Sequence, residues 1–566
     1  MAENESRQII ENKLPLPIGV SDYRRACSQY YYVDKTLFLK DFLDDQPLVS
    51  LFTRPRRFGK TLNMDMIRTF FEISKEDTSI YFKDKKIWNC GPKYREYQRK
   101  FPVIFVTFKD VKFVTWAETL EAIQSLLIKE AYRHIELQTS TKCDDYDKKW
   151  FSRLLASESS EVELSQYFQN LSSMLHKHYG VAPIILIDEY DIPIQQGYVK
   201  GFYEEVILFM RNLFSGGFKD NHHLSYGILT GILRVAKESI FSGLNNLSTY
   251  SVLDKKYNSY FGFTEEEVKS MAQYYGNSNK LKEIQDWYNG YQFGNQEIYN
   301  PWSVVSYFNN ICQPRAYWQS TGSNDVIQEI IPQANQDIYD RLVSLMNGTS
   351  FTTYIDTGVI YPEIHTNPSS VYSFLLVAGY LKAENTKVSW SGDYICDVSI
   401  PNKEIAFVYN KEILQKLKNM ISPSVSIKIQ EALLNKDTDR LKDSIRTLLI
   451  ESVSYFDTAK ETFYHGLMLG LCAVMSGHYL TSNRESGQGR FDIQLLPKDK
   501  RFPGIIIELK SIVGNHSDTL KKEAEKALQQ IIDKSYDVQL KSKGISKVYK
   551  YGVAFQGKNV EVVVKD

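Results

Sequence analysis

A chain of 566 residues is long enough for three or four domains with sizeable cores. Its 43% hydrophobic and 24% charged residues, with 38 Tyr and 30 Phe, are a globular composition and exclude fibrous or low-complexity classes. Lys+Arg and Asp+Glu each number 68, so no bulk positive charge signals nucleic-acid binding, and only local basic faces stay open.

The six cysteines (Cys27, Cys90, Cys143, Cys312, Cys396 and Cys472) form no CxxC pair. That suits a reducing compartment and argues against a disulfide frame or a zinc site. The opening MAENESRQII is polar and partly acidic, unlike a secretory signal. No apolar run approaches the ~18 residues that span a bilayer. The expectation is a cytoplasmic protein without membrane association.

In chain order, residues from about 14 to 260 alternate apolar strands with amphipathic helices, which predicts a largely parallel sheet covered on both faces. Strands are expected at Leu48–Phe52, Val103–Thr107, Ile184–Ile187 and Tyr226–Thr230. Between them lie helical stretches such as Ala117–His134, with Leu120, Ile123, Leu127 and Ala131 on one face. A helical section follows, from 261 to 345. Thr264 and Glu267 form a capping box at its start. WYNGYQFG (287–294) has the Asn-Gly turn and aromatic flanks of a hairpin, and Pro301 fits the first turn of another helix. Helices plus a small hairpin suggest a helical or winged-helix lid, with an ordinary helical subdomain as the alternative. Residues 346–435 read as a connecting region, with a buried helix at 371–381 and a strand and turn at 397–409. A helical lead-in from about 426 to 450 reaches the last section.

Two stretches carry chemistry. Thr53–Leu62 (TRPRRFGKTL) lies between an apolar run and a helical pattern, the strand–loop–GKT–helix arrangement that cradles nucleotide phosphates. Gly59 and the helix N-terminus would present backbone N–H groups to an anion. Lys60 would reach the outer phosphates, and Thr61 would take one position on Mg²⁺. Arg54 stands where that motif has its first glycine. Support comes about 130 residues on, at Pro183–Asp191 (PIILIDEYD), a buried strand ending in acids. Asp188 would complete the Mg²⁺ shell and Glu189 would polarise the attacking water. Thr230, at the end of a further strand, is either a γ-phosphate sensor or a capping threonine. Arg234 is either a phosphate contact, in cis or across a subunit boundary, or an exposed arginine at a helix start. Arg56 and Arg57 either contact phosphate or fix the loop by pairing with acids.

The second stretch lies between Glu461 and Gln530. The expected order is helix, three strands, helix, strand: 461–475, 478–486, 490–497, 504–510, 518–536 and 548–556. Asp492 sits on one strand, and Glu508 and Lys510 lie two apart on one face of the next. Two carboxylates and a lysine at a sheet edge can bind Mg²⁺ and set up a water for attack on a phosphodiester. Glu461 is a candidate extra metal ligand, and Gln530 could point at the same site; a solvated helix face is the alternative for both. Lysine-rich runs at 521–526 and 541–547 either touch nucleic acid or are solvated faces.

With both sites in view, the chain resembles a family of bacterial AAA-ATPase-like proteins that carry a C-terminal PD-(D/E)xK nuclease domain. The resemblance rests on LPIGVSDYRR (16–25), YYVDKTLFL (31–39), RPRRFGKTL (54–62), LIDEYD (186–191), TGILRVAKESIFSGLNNL (230–247), WYNGYQFG (287–294), SNRESGQGRFDI (482–493) and IIIELK (505–510). It implies an α/β multidomain architecture: a P-loop NTPase (AAA-like) parallel-sheet domain over 1–260, the lid over 261–345, the connecting region over 346–435, and a nuclease-like αβββαβ domain over 436–566. The arginine-rich RPRRFGK loop is that family's own variant. The resemblance further implies ATP with Mg²⁺ at Lys60, Thr61, Asp188 and Glu189, and a nuclease-type site at Asp492, Glu508 and Lys510. An ATP-regulated, metal-dependent nuclease is therefore expected. DNA and RNA are both open as partner, and a homo-oligomer is needed only if an arginine is supplied across an interface. The alternative is a nucleotide-switched module whose nuclease fold grips nucleic acid or protein without cutting.

Overall fold

The computed structural model describes residues 13–566 except 235–239, 242–244, 319–337, 339–340, 343–344, 346–347, 366–367, 391–392, 410–422, 453–463, 466, 469–470, 473–474, 476, 488 and 513–516. The chain divides into two compact units, the first made of 1–322 with 351–405 and the second of 323–350 with 406–566.

Five short strands build the first unit's main sheet: β1 (Val49–Thr53), β2 (Val103–Thr107), β3 (Ile184–Asp188), β4 (Tyr226–Gly231) and β5 (Leu247–Tyr250). Their order is β2-β3-β4-β1-β5, and every pair is parallel. All five residues of β1 and of β3 are buried. That is why those strands read as unbroken apolar runs, since a parallel sheet is covered on both faces. Helix α1 (Lys60–Phe71) leaves β1 through the Gly-Lys-Thr loop. Helix α2 (Trp116–Tyr132) begins at a capping box of Thr115 and Glu118 and buries Ile123, Leu127 and Ala131. Helix α3 (Ile192–Lys200) follows the acidic end of β3. The carboxyl ends of β1, β2, β3 and β4 carry Thr53, Thr107, Asp188 and Thr230, so the sheet places its polar residues along one edge.

The segment from 261 begins with α4 (Glu265–Tyr274), capped by Thr264 and Glu267 as the sequence predicts. Helices α5 (Leu281–Tyr288) and α6 (Pro301–Asn309) pack Ile284, Tyr288, Val304 and Tyr307 against Val268 and Met271 of α4. Between them lies the hairpin of β6 (Tyr291–Phe293) and β7 (Gln296–Ile298). Its turn is Gly294-Asn295, because Phe293 pairs with Gln296. The expected Asn289-Gly290 turn is instead the end of α5, with Asn289 as its cap and Gly290 left-handed at φ +96°. Further along, β8 (Phe351–Ile355), β9 (Lys382–Val388) and β10 (Tyr394–Ser399) form an antiparallel sheet in the order β8-β10-β9, and α7 (Pro368–Val377) contributes buried apolar residues. Residues 403–409, read from sequence as strand and turn, are helical.

The second unit holds α8 (Pro423–Asn435), α9 (Thr438–Ser452) and a sheet in sequential order: β11 (His478–Ser486), β12 (Gly489–Pro497), β13 (Gly504–Ser511), β14 (Val548–Gln556) and β15 (Asn559–Lys565). Helix α10 (Ser517–Asp533) joins β13 to β14, the one parallel pair in this sheet. Alternation assigns the two faces. Ile493, Ile505 and Ile507 pack with Leu448 and Leu449 of α9, while Ile506 packs with Ile531 of α10. The helix expected at 461–475 is described only in part, and β15 extends the expected order by one strand.

Candidate functional sites

The first site grows from the end of β1. Gly59, at φ +82°, caps α1 in the left-handed region where a side chain would be strained. Behind it, Lys60 is 5% exposed, and its Nζ donates to the carbonyl oxygens of Arg54 and Pro55, both at 2.9 Å. Burial lowers the Lys60 pKa, against the pull of Glu189, Asp191 and Asp188. The ammonium is thus already turned into the loop, facing three acids.

Asp188 is fully buried at the end of β3 and is held from two sides. Thr61 Oγ1 donates to Oδ2 at 2.7 Å, and Thr230 Oγ1 donates to Oδ1 at 2.5 Å. Three expected residues from three separate elements therefore meet at one carboxylate. Glu189, next in the chain, adopts φ +53°, a conformation that costs a non-glycine residue about 1–2 kcal/mol and is concentrated at functional sites. Burial, and then the charge of Asp188, raise its pKa, which disfavours its ionised form.

The Arg54 side chain is taken up by the core. It is fully buried, and its guanidinium donates to the carbonyl oxygens of Thr53 and Tyr250 at 2.8 Å. It lies 5.2 Å from the ring centres of both Phe261 and Phe293. Burial draws its pKa down to about 10, so it stays charged at neutral pH. Arg54 is not left-handed; the loop takes its positive φ at Arg57 (+69°) and Gly59. Arg56 donates to Gln195 Oε1 on α3 at 3.0 Å, and Arg57 stacks over Trp302 at 4.5 Å. Both arginines act electrostatically on Glu189. Arg234 acts electrostatically on Tyr190 and Tyr394.

Sequence reasoning missed Asp191. It is 2% exposed and accepts from the backbone N–H groups of Ile232 and Leu233 at 2.7 and 3.0 Å. Burial raises its pKa. Tyr190 N donates to the Thr230 carbonyl, and its hydroxyl donates to that of Leu233. The acidic turn is thereby tied to the end of β4 along several residues. A third acid within LIDEYD was the available signal.

The second site lies between β12 and β13. Ile493 pairs with Ile507, so the same register brings Asp492 opposite Glu508 one step further on. Asp492 Oδ2 accepts from the Leu509 N–H at 2.8 Å, and the Asp492 N–H donates to Glu508 Oε2 at 3.3 Å. Glu508 is 2% exposed and accepts a short hydrogen bond from Gln530 Nε2 on α10. Gln530 also donates to the Tyr536 hydroxyl at 3.3 Å. Lys510, two residues beyond Glu508 on the same face, is half-buried. His465 Nε2 lies 3.2 Å from the Asp492 carbonyl oxygen, a neighbour the sequence did not suggest. Glu461 lies outside the described residues. Among the described residues, no group of three or more His, Cys, Asp or Glu comes together as a metal cluster.

No described helix is long and apolar enough to cross a membrane.

Comparison with known proteins places families on both sites. The family model described as a predicted AAA-ATPase matches residues 17–241, and that of the PD-(D/E)XK nuclease superfamily matches residues 459–565. A protein of Azotobacter chroococcum mcd 1, named as an uncharacterized protein in the vnfD 5′ region, is 28% identical over 322 residues. That match spans 56% of this chain and 56% of the relative. The chain therefore carries an AAA-ATPase-like domain followed by a C-terminal domain of the PD-(D/E)XK nuclease superfamily.

Proposed function

We propose that this chain binds and hydrolyses ATP and uses it to regulate a metal-dependent nuclease. The observation that carries the nucleotide half is the grip of Thr61 and Thr230 on the two oxygens of Asp188. A hydroxyl from the start of α1 and a buried carboxylate from the end of β3 are the donors a hard cation beside a phosphate takes. The donor set fits Mg²⁺ with ATP. Thr61 and Asp188 would hold the metal, which supplies charge neutralisation at the phosphates when bound. Lys60 would exchange its bonds to the Arg54 and Pro55 carbonyls for phosphate oxygens. Glu189 would orient and take a proton from water, its raised pKa bringing it closer to neutral pH. Thr230 would report the outer phosphate to Asp188 and the acidic turn.

For the nuclease half, the adjacent Asp492 and Glu508 fit one divalent cation. That cation would supply stabilisation of charge developing on the phosphodiester. Gln530 would orient Glu508, and Lys510 would position the attacking water. The segment from 261 would act as the lid, helical or winged-helix in kind, whose movement with nucleotide changes access to the second site. A nucleic acid is the substrate class, with DNA and RNA both to be tried.

The testing experiment is cleavage of DNA and RNA with Mg²⁺ or Mn²⁺ by wild type and Asp492→Ala. Cleavage by the wild type and its loss in the variant is the expected result. A wild type that hydrolyses ATP yet cuts neither nucleic acid overturns the nuclease half. The alternative is a non-cutting binding module. That module predicts that Asp492→Ala binds nucleic acid as the wild type does and that neither protein cuts.

A further inference from the structure

Residues Pro55 to Phe58 of the phosphate loop are each met by chain beyond Phe261. A Cβ at Gly379 would lie 2.8 Å from the Pro55 Cβ, so only glycine lets that backbone come so close. Trp318 Nε1 donates to the Arg56 carbonyl oxygen at 3.3 Å. The Arg57 guanidinium stacks 4.5 Å from the Trp302 ring centre. The Phe58 ring packs against Tyr291 and Phe293, at 4.9 and 5.2 Å between centres, and the Phe58 carbonyl accepts from the Gly262 N–H. Trp302 and Trp318 are themselves anchored: Trp302 Nε1 donates to the Tyr317 carbonyl, and the Trp318 N–H donates to Glu404 Oε1 at 2.9 Å.

An ordinary phosphate loop owes its shape to glycines that enter the left-handed region without strain. This loop has one glycine, Gly59, and places Arg57 in that region at φ +69°. A residue with a Cβ persists there only when its surroundings hold it. The stack on Trp302 acts on Arg57, the non-glycine residue in that region, and the bond from Trp318 acts on its neighbour Arg56.

We propose that Trp302 and Trp318 are positioning residues for the phosphate loop, holding Arg56 and Arg57 in anion-binding shape from the lid side. Phosphate binding and the seating of the segment from 261 to 318 are then one event. This rests on the reading of the loop as a nucleotide site, and it adds the route by which occupancy reaches the lid.

The test combines two readouts on the full chain. In nucleotide-free protein, hydrogen exchange of the amides from 54 to 62 is followed in wild type, Trp302→Ala, Trp302→Phe and Trp318→Phe. Exchange speeds up in Trp302→Ala and Trp318→Phe, and Trp302→Phe, which keeps a ring face, restores most of the protection. With Mg-ATP, Trp302→Ala raises Kd by about 3- to 30-fold, the span of a cation–π contact. Trp318→Phe, which keeps a ring but loses the N–H, raises it by about 2- to 10-fold. Trp390→Ala, at a fully exposed ring between β9 and β10, changes neither readout. Folded variants with unchanged loop exchange overturn the proposal, whatever the affinity. A wild type that binds no nucleotide, with faster loop exchange in the variants, overturns the nucleotide reading and leaves the positioning role supported.

Discussion

Lys60 donates to the Arg54 carbonyl oxygen at 2.9 Å, so the loop's ammonium is joined to the residue that stands six positions before it. The Arg54 side chain runs the other way, into the carbonyls of Thr53 and Tyr250 and between two aromatic rings. One residue thus serves the loop with its backbone and the core with its side chain.

Replacing Arg54 by the glycine of the ordinary motif should therefore weaken the protein. Arg54→Gly removes a fully buried side chain and strands two carbonyl acceptors, a loss of about 2–4 kcal/mol. Thermal unfolding of the first transition checks it, and a melting temperature equal to the wild type's would show that the arginine is not structural.

Arg56 and Arg57 differ from Arg54 in acting electrostatically on Glu189. Arg56→Ala should weaken Mg-ATP binding by about 10-fold, the cost of losing one charged hydrogen bond, with little change in melting. Isothermal titration alongside thermal unfolding separates the roles. Lowered stability with unchanged affinity would assign Arg56 to holding α3 through Gln195.

Glu404 gives a pH signature. It is fully buried, accepts from Ser303 Oγ and the Trp318 N–H, and burial raises its pKa to about 7. The unfolded carboxyl ionises near pH 4.5, so between about 4.5 and 7 the folded form holds a proton that the unfolded form has released. Stability from this group is complete below 4.5 and falls as pH rises to about 7. Glu404→Gln, which cannot ionise, should gain up to about 3 kcal/mol over the wild type at pH 8 and little at pH 4.5. Melting temperatures of the two proteins across that range should diverge upward; a constant gap would rule out the linkage.

Gln530 is predicted to act through Glu508. Gln530→Leu keeps the volume and removes the donor, so cleavage should need about 10- to 100-fold more Mn²⁺ while its rate at saturating metal changes less. A metal titration of the cleavage rate reads this. An unchanged metal requirement would make Gln530 a packing residue.

Much of this was legible because the chemistry sits where strong patterns end. β3 and β13 are buried apolar runs, and their acids, Asp188 and Glu508, follow directly. The Asp492–Glu508 adjacency then follows from antiparallel register once both strands are placed. β5 was not visible, because the edge strand Leu247–Tyr250 is half-exposed throughout and carries no apolar run. The hairpin turn was misplaced because Asn289-Gly290 has turn composition, yet Gly290 is glycine for another reason: a Cβ there would lie 2.1 Å from the Pro401 carbonyl oxygen. That contact is 111 residues away in sequence, and local composition does not report it. The role of Arg54 was hidden in the same way, since Tyr250, Phe261 and Phe293 come from distant elements.

The central claim is that the nucleotide site governs the nuclease site. The direct measurement is the initial rate of metal-dependent nucleic-acid cleavage with and without ATP, in wild type and in Lys60→Ala. The account predicts that ATP changes the wild-type rate and leaves the Lys60→Ala rate unaltered, while both proteins retain Asp492-dependent cleavage. An ATP response of equal size in both, or none in a wild type that hydrolyses ATP, would contradict it.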